Sequence, residues 1–256
     1  MNIERVSKIS LAIDGGHNIR TDTESCLKAA GFQFEVWENG SLHALVRGDS
    51  LLRSITLNRG GDIPLRLDEG VNDFGVFGRD VLREAQLGGV EIEEIEALGI
   101  SICRVALEVP KSSKYKRPED LVGARIATHL PNLTKSFFRE HNTAVRIVSY
   151  TGKEEGAPAA GAADAVVAIY SSGTAAEENK LRLIGTLKES TLLESEGVLV
   201  ASTRFLSERG SDLIVSQFID RFRQLSRVSY PFREPPSVNT VMPISLIPQS
   251  PIHQTV

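Results

Sequence analysis

The residues most able to do chemistry sit together at 165–174. An apolar run, Ala165 to Tyr170 (AVVAIY), leads directly into Ser171-Ser172-Gly173-Thr174. A parallel strand that ends in a small, hydroxyl-rich loop opening a helix can wrap a phosphate. The backbone amides point inward, the hydroxyls add donors, and the helix N-terminus brings partial positive charge. The same four residues also suit an ordinary capping turn, so their surroundings must decide. Asp14 precedes Gly15-Gly16 at the end of the first β-prone run. It serves either as a site carboxylate at the mouth of that strand or as a plain turn former. Glu154 and Glu155 adjoin, so only one of them can face a given site. Glu177 and Glu178 suit the dipole of a first helical turn, and Asp73 and Asp80 read as turn and cap residues.

The elements that would position these residues follow a β-α rhythm. Lys8–Ile13 reads as a strand, Thr21–Ala30 as a helix stopped by Gly31, and Phe32–Trp37 as a second strand. Arg53–Leu57 alternates like a strand. A helix then starts at Asp62-Ile63-Pro64, with Asp62 as cap, and ends at Glu69-Gly70. Asp73–Phe77 is a short buried strand, a helix begins over Arg79–Glu84, and Cys103–Val109 is a strand closed by Pro110. The polar, basic run Lys111–Pro118 (KSSKYKRP) marks a linker or lobe boundary. Beyond it the rhythm restarts with a strand at Arg125–Thr128, a helix at Asn132–His141, a strand at Val145–Tyr150 and a Gly/Ala-rich turn with a short helix at 152–163. Val198–Ala201 is the last strand and Leu206–Leu225 an amphipathic helix. Residues 229–256 read as an extended or disordered tail. Strands alternating with helices predict parallel βαβ units.

Composition narrows the function. The chain has 256 residues, 41% apolar and 24% charged, with a formal net charge of −4, so nothing draws it globally to nucleic acid or an anionic membrane. An anion site must be made locally. No window approaches the roughly 18 apolar residues that span a bilayer, and the N-terminus lacks a secretory h-region; a cytoplasmic protein is expected. Cys26 and Cys103 have no metal-type spacing and read as reduced, mostly buried thiols. No metal ligand set is expected.

Several runs resemble, in order, those of the ATP phosphoribosyltransferase family, which opens histidine biosynthesis. Asp62-Ile63-Pro64, Glu69-Gly70, Asp73-Phe74-Gly75-Val76 and Gly78-Arg79-Asp80-Val81-Leu82 look like its Asp-Ile-Pro, Glu-Gly, Asp-Leu-Gly-Ile and Gly-Lys-Asp-Val-Leu. Arg125-Ile126-Ala127-Thr128-His129-Leu130-Pro131-Asn132-Leu133 is similar to Arg-Ile-Ala-Thr-Lys-Tyr-Pro-Asn-Leu. Glu155 with Pro158 stands for Glu-Leu-Ala-Pro, Gly161 to Ala165 for Gly-Leu-Ala-Asp-Ala, and Ser171 to Thr174 for its Ser-Thr-Gly-Thr phosphate loop. The likeness covers roughly residues 8–203.

The resemblance implies an α/β fold of two lobes, like a periplasmic binding protein, with a hinged cleft between them. Lobe I would hold 1–107, lobe II 108–190, and 191–228 would return to lobe I with the C-terminal helix. The hinges would lie near Val105–Pro110 and Ser190–Val198. It implies transfer of phosphoribosyl from phosphoribosyl pyrophosphate to a nitrogen of ATP, with Mg²⁺ carried on the pyrophosphate. Ser171, Ser172, Gly173 and Thr174 would hold the 5′-phosphate, Glu155 the ribose hydroxyls as the catalytic carboxylate, and Arg59 the pyrophosphate or the acceptor phosphates. The chain lacks a βαββαβ module after Ala201 and so resembles the short form, which implies a homo-oligomer and a separate regulatory subunit.

Departures from the family pattern fall on the cations. Its N-terminal lysine and arginine become Gly15 and His17, a second arginine before Asp-Ile-Pro becomes Gly61, and Lys-Tyr becomes His129-Leu130. An aspartate expected before the phosphate loop is Ala168. His17 and His129, imidazoles in place of cations, are expected to bind phosphate or to move a proton near neutral pH. Each lost cation removes a charge-assisted hydrogen bond of roughly 1.5–3 kcal/mol. Two further functions therefore stand beside the first: a paralogue with another acceptor or reaction, and a non-catalytic protein that binds a small anion.

Overall fold

The computed structural model describes residues 8–35, 41–44, 46 and 48–227. In chain order the elements are β1 (Ile9–Asp14), α1 (His17–Ala29), β2 (His43–Ala44), β3 (Leu52–Asn58), α2 (Ile63–Asp68), β4 (Phe74–Gly78), α3 (Arg79–Leu87), β5 (Ile92–Ala97), β6 (Cys103–Pro110), β7 (Arg125–Thr128), α4 (Pro131–Glu140) and β8 (Arg146–Ser149). There follow β9 (Ala165–Tyr170), α5 (Thr174–Glu178), β10 (Leu181–Leu183), α6 (Leu187–Ser190), β11 (Thr191–Ser195), β12 (Gly197–Ser202), α7 (Thr203–Arg209) and α8 (Leu213–Arg227).

The strands form two sheets, one in each lobe. The first runs β2-β3-β1-β4-β12-β5, and the second β10-β6-β9-β7-β8 with β11 beside β6. In the first, β1 is parallel to β3 and β4, while β12 runs antiparallel between β4 and β5. In the second, β7 is parallel to β8 and β9, and β6 runs antiparallel to β9. Helices cover both faces of each sheet. Leu27 of α1 and Val215, Phe218 and Phe222 of α8 pack on Ile9, Leu11 and Ile13; Ile63, Leu67 and Leu82 pack on Ala12, Phe77 and Val198. In the second sheet Phe137 and Phe138 of α4 cover Val105, Leu107 and Val167. Ala176 of α5 covers Val166 and Ala168 on the opposite face. A strand buried on both sides gains nothing from alternation, which is why β9 is a continuous apolar run.

The chain passes between the sheets twice, at residues 98–102 and at Glu196. The sequence placed the lobe bounds at 107 and 190 and the hinges at Val105–Pro110 and Ser190–Val198; the second hinge range holds Glu196, and the first misses the crossing at 98–102. The structure puts all of β6 and all of β11 in the second sheet, because β11 pairs along β6 from Ala106 to Cys103. The run Lys111–Pro118 links β6 to the next turn of the second lobe and does not mark a boundary between lobes. The two crossings lie side by side. Leu98 N–H donates to the Gly197 carbonyl, Gly197 N–H to the Ile100 carbonyl, and Gly99 N–H to the Glu196 carboxylate. Arg79 holds Glu94 and Glu196 together, and Asp22 of α1 accepts from the Ser101 amide and hydroxyl.

Other expectations need correction. Helix α1 starts at His17, with Gly16 as cap, because Thr23 is fully buried and not available as a cap. Phe32–Glu35 carries no strand, and 36–40, like the tail at 229–256, lies outside the described residues. The long C-terminal helix is two, α7 and α8, broken where Gly210 ends α7. Strands β5, β10 and β11 were missed: their charged or short sequences carry little alternation.

Direct contacts tie the lobes at Asp80 with Ser195 and at the start of α4. Helix α4 has no side-chain cap of its own. Its first amides, Asn132 N–H and Leu133 N–H, donate to the two carboxylate oxygens of Glu84 on α3, at 2.9 and 2.8 Å. Glu84→Ala should cost about 1–2 kcal/mol in urea denaturation and speed hydrogen exchange at the first turn of α4.

Candidate functional site between the lobes

A cleft of about 620 Å³ opens beside the crossings. Asp14, Gly16, Asp22, Gly78 and Asp80 line it from the first lobe, and Ile169, Ser171 and Ser195 from the second. Of the loop expected to grip phosphate, Ser171 lines the interlobe cleft, and Ser172, Gly173 and Thr174 follow it outside the lining. Gly173 stands in the left-handed region at φ 79°. A Cβ there would lie 2.7 Å from the Tyr170 hydroxyl, so the turn requires glycine. The Ser172 and Thr174 hydroxyls are 2.9 Å apart, and the Thr174 amide reaches the Ser172 hydroxyl at 3.3 Å. Among the described residues no backbone acceptor takes the Ser172 or Gly173 amide. Ser171, Ser172 and Thr174 are exposed and Gly173 is half-buried. Amides left open in a tight turn at a strand's C-terminal end form a concavity for an anion.

Asp14 does both things its sequence context allowed. It lines the cleft, and its carboxylate accepts from the Gly16 amide at 2.9 Å. Burial raises its pKa, the Gly16 and Gly60 amides oppose the rise, and the charge of Asp80 adds to it. Arg59 is exposed one residue before Gly60 and does not belong to the cleft wall. The backbone of His17 opens α1; its side chain lies outside the described residues.

On the second lobe the structure separates the two adjacent glutamates. Glu154 is buried and pairs with His129 Nδ1. Glu155 is half-buried beside it on the same short turn. Burial alone would lower the His129 pKa. The hydrogen bond and charge of Glu154, then the charges of Asp80 and Glu155, outweigh it and raise the value above 6.5. His129 is thus held as an imidazolium further up the pH scale than a free imidazole, facing acids of both lobes. The stability this pair contributes is present below the ordinary imidazole value and is lost as pH rises through the raised one.

Sequence reasoning missed four groups. Asp80, taken for a cap, does accept from the Ser195 hydroxyl at 2.7 Å, but it also lines the cleft. Glu154 was left undecided against Glu155. Cys103 lines the floor, and burial, with the Asp80 charge, pushes its thiol up to about 11, so it stays protonated and unreactive at neutral pH. Glu108 is 2% exposed, and burial, with the charge of Glu155, pushes its carboxyl up to about 7. The available signal for Glu108 was a single acid inside the apolar strand VALEV. Among the described residues no group of three or more His, Cys, Asp or Glu could hold a metal ion, and no helix is long and apolar enough to cross a membrane.

Comparison with known proteins gives one family. Residues 59–224 match the family model described as HisG: ATP phosphoribosyltransferase. An ATP phosphoribosyltransferase of Methanocella arvoryzae is 32% identical over 183 residues, 68% of this chain and 63% of that protein. One of Methanopyrus kandleri is 38% identical over 133 residues, 52% of this chain and 46% of that protein. The chain thus spans less than two thirds of the length of these relatives. Among solved structures, the ATP phosphoribosyl transferase (HisG:HisZ) complex from Thermotoga maritima superposes with a TM-score of 0.68 at 26% identity, covering 86% of this chain and all of that one. The sulfonate-binding proteins SsuA of Xanthomonas axonopodis and Escherichia coli share the fold, with TM-scores of 0.51 and 0.53 at 17% and 13% identity. They cover 86% and 87% of this chain and 73% of each of theirs.

The His129–Glu154 pair makes a direct prediction. In an NMR pH titration, Glu154→Gln should move the His129 midpoint down, and the melting temperature of the variant should lose its extra stability at acidic and neutral pH. An unchanged midpoint would mean that Glu154 does not hold the charge.

Proposed function

The chain belongs to the HisG ATP phosphoribosyltransferase family, and from that premise we propose that it transfers phosphoribosyl from phosphoribosyl pyrophosphate to a nitrogen of ATP. The observation that supports the proposal is that β9 ends at the interlobe cleft, where Ile169 and Ser171 line the wall and the 172–174 turn follows directly. In this reading the 5′-phosphate rests on the loop amides and the Ser and Thr hydroxyls. Glu155 accepts from the ribose hydroxyls and faces the positive charge that develops at the anomeric carbon as the pyrophosphate leaves. His129, kept cationic by Glu154, meets the negative charge of a phosphate group. Arg59, beside the cleft mouth, is the cation available to the pyrophosphate or to the triphosphate of ATP. His17 begins α1 on the same side, where the first helical amides also favour an anion.

Magnesium arrives in this scheme as part of the pyrophosphate substrate. An ion of this kind is held by one or two carboxylates together with substrate phosphates, and Asp14 and Asp80, which face the same cleft, suit that donor set. When bound it neutralises the leaving charge. Holding the sugar phosphate between lobes also excludes water from the anomeric carbon, which protects it from hydrolysis. The enzyme is proposed to be cytoplasmic and oligomeric, with a separate regulatory subunit; the Thermotoga maritima structure is itself a HisG:HisZ complex.

One observation favours a second reading. Position 168 carries a fully buried methyl group where the resemblance implies a ribose-binding carboxylate. Loss of that group fits a changed acceptor or a binding protein without turnover. A single assay separates these. Mixing the protein with phosphoribosyl pyrophosphate, Mg²⁺ and ATP should yield the phosphoribosyl adduct, followed by absorbance or mass. Turnover with another acceptor only, or binding without turnover, would support the alternatives. Ser172→Asp places like charge against the phosphate, at a cost of several kcal/mol, and should lower kcat/KM for phosphoribosyl pyrophosphate by about 100-fold or more.

A further inference from the structure

A second carboxyl lies beneath the proposed ribose site. In the β6–β9 ladder Ala106 stands opposite Ala168 and Glu108 opposite Val166. Directly paired residues share a face, and diagonal neighbours on it reach one another. Glu108 and Ala168 are therefore diagonal neighbours on the face that bears Val166, Ala168, Ala176 and Leu181. That face is covered by α5, which begins at the 171–174 loop. The turn that carries Glu155 packs on the same strand, β9. Glu108 thus lies on the floor between the loop helix and Glu155.

Its carboxyl is not used by the fold. Oε2 is fully enclosed and has no hydrogen-bond partner, although the residue is 2% exposed. The neighbouring cations are engaged elsewhere: Lys111 with Glu177, and Arg182 with the carbonyls of Ser113, Tyr115 and Leu183. Among the described residues, the charge that bears on Glu108 is that of Glu155, which repels it. Buried polar atoms are almost always paired, and an exception calls for an explanation. A sugar with adjacent hydroxyls supplies one, because two carboxyls that share few protons are relieved by hydroxyl donors placed between them. Ala168, fully buried on the diagonal, brings no carboxylate of its own, so Glu108 is the acid on this face of the β6–β9 pair.

We propose that Glu108 binds the ribose hydroxyls together with Glu155, and that it sets the preference for a ribose over a 2-deoxyribose phosphate. This rests on the phosphoribosyl reading of the cleft and names a residue that reading does not use.

The test uses the full chain and three probes, inorganic phosphate, ribose 5-phosphate and 2-deoxyribose 5-phosphate, with affinities measured by calorimetry. The wild type should prefer ribose 5-phosphate over the deoxy sugar by about tenfold, the value of one such hydrogen bond. Glu108→Leu should bring that preference to about onefold, leave inorganic phosphate binding unchanged and melt no lower than the wild type at pH 8, because it removes a buried unpaired carboxyl. Glu108→Ala, judged by the same affinities, serves if leucine cannot be accommodated. A preserved preference in the folded variant, or equal loss of inorganic phosphate binding, would overturn the assignment. If the wild type binds both sugars alike, the phosphoribosyl reading stands and the role of Glu108 falls. If it binds none of the three probes, that reading fails and takes Glu108 with it.

Discussion

The cleft depends on how the backbone turns as β9 ends. The strand is apolar and buried on both faces, so it fixes the point from which residues 171–174 leave the sheet. Gly173 then takes a conformation that places Tyr170 where any Cβ would go. The result is a turn with open amides, anchored by the end of β9 at the edge of the gap between two lobes. Rigidity matters because an anion site made of amides gains from being formed before the ligand arrives: no reorganisation is needed on binding.

The rest of the cleft is electrostatically unusual for a site meant to hold phosphates. Asp14, Asp80, Glu154, Glu155 and Glu108 all lie in or near it, while several cations implied by the family resemblance are absent. Burial, with the charge of Asp80, raises Asp14, and burial, with the charge of Glu155, raises Glu108 to about 7. Glu154 is spent on keeping His129 cationic. What remains suits a substrate that brings its own divalent ion and offers hydroxyls as well as phosphate. The balance is local, in keeping with a chain whose net charge is only −4.

Much of this was legible from residues alone. The strand Ala165–Tyr170, its loop, β7 with α4, and the α2 start at Asp62-Ile63-Pro64 carried strong apolar runs or capping signals, and the structure places them at or within a residue or two of the expected bounds. The first crossing was not legible. Cys103–Pro110 reads as a strand from its composition, but which sheet it joins depends on pairing with β11, some 90 residues later. The same limit hid the site acids. Asp80 faces Ser195 from the far end of the chain, and Glu84 meets α4 across the gap. Glu154 and Glu155 are alike in sequence, and only the turn they occupy buries one against His129 and leaves the other half-buried. Spacing finds elements; long-range pairing decides which side chains share a space.

The central claim is that the amides after β9 hold the phosphate of a sugar ester. Two-dimensional amide NMR during titration with ribose 5-phosphate tests it most directly. The largest shifts are expected at Ser171, Ser172, Gly173 and Thr174, saturating together, with smaller shifts at Asp14 across the gap and at His129 on the same lobe. Saturable shifts elsewhere that leave these four amides unmoved would contradict it.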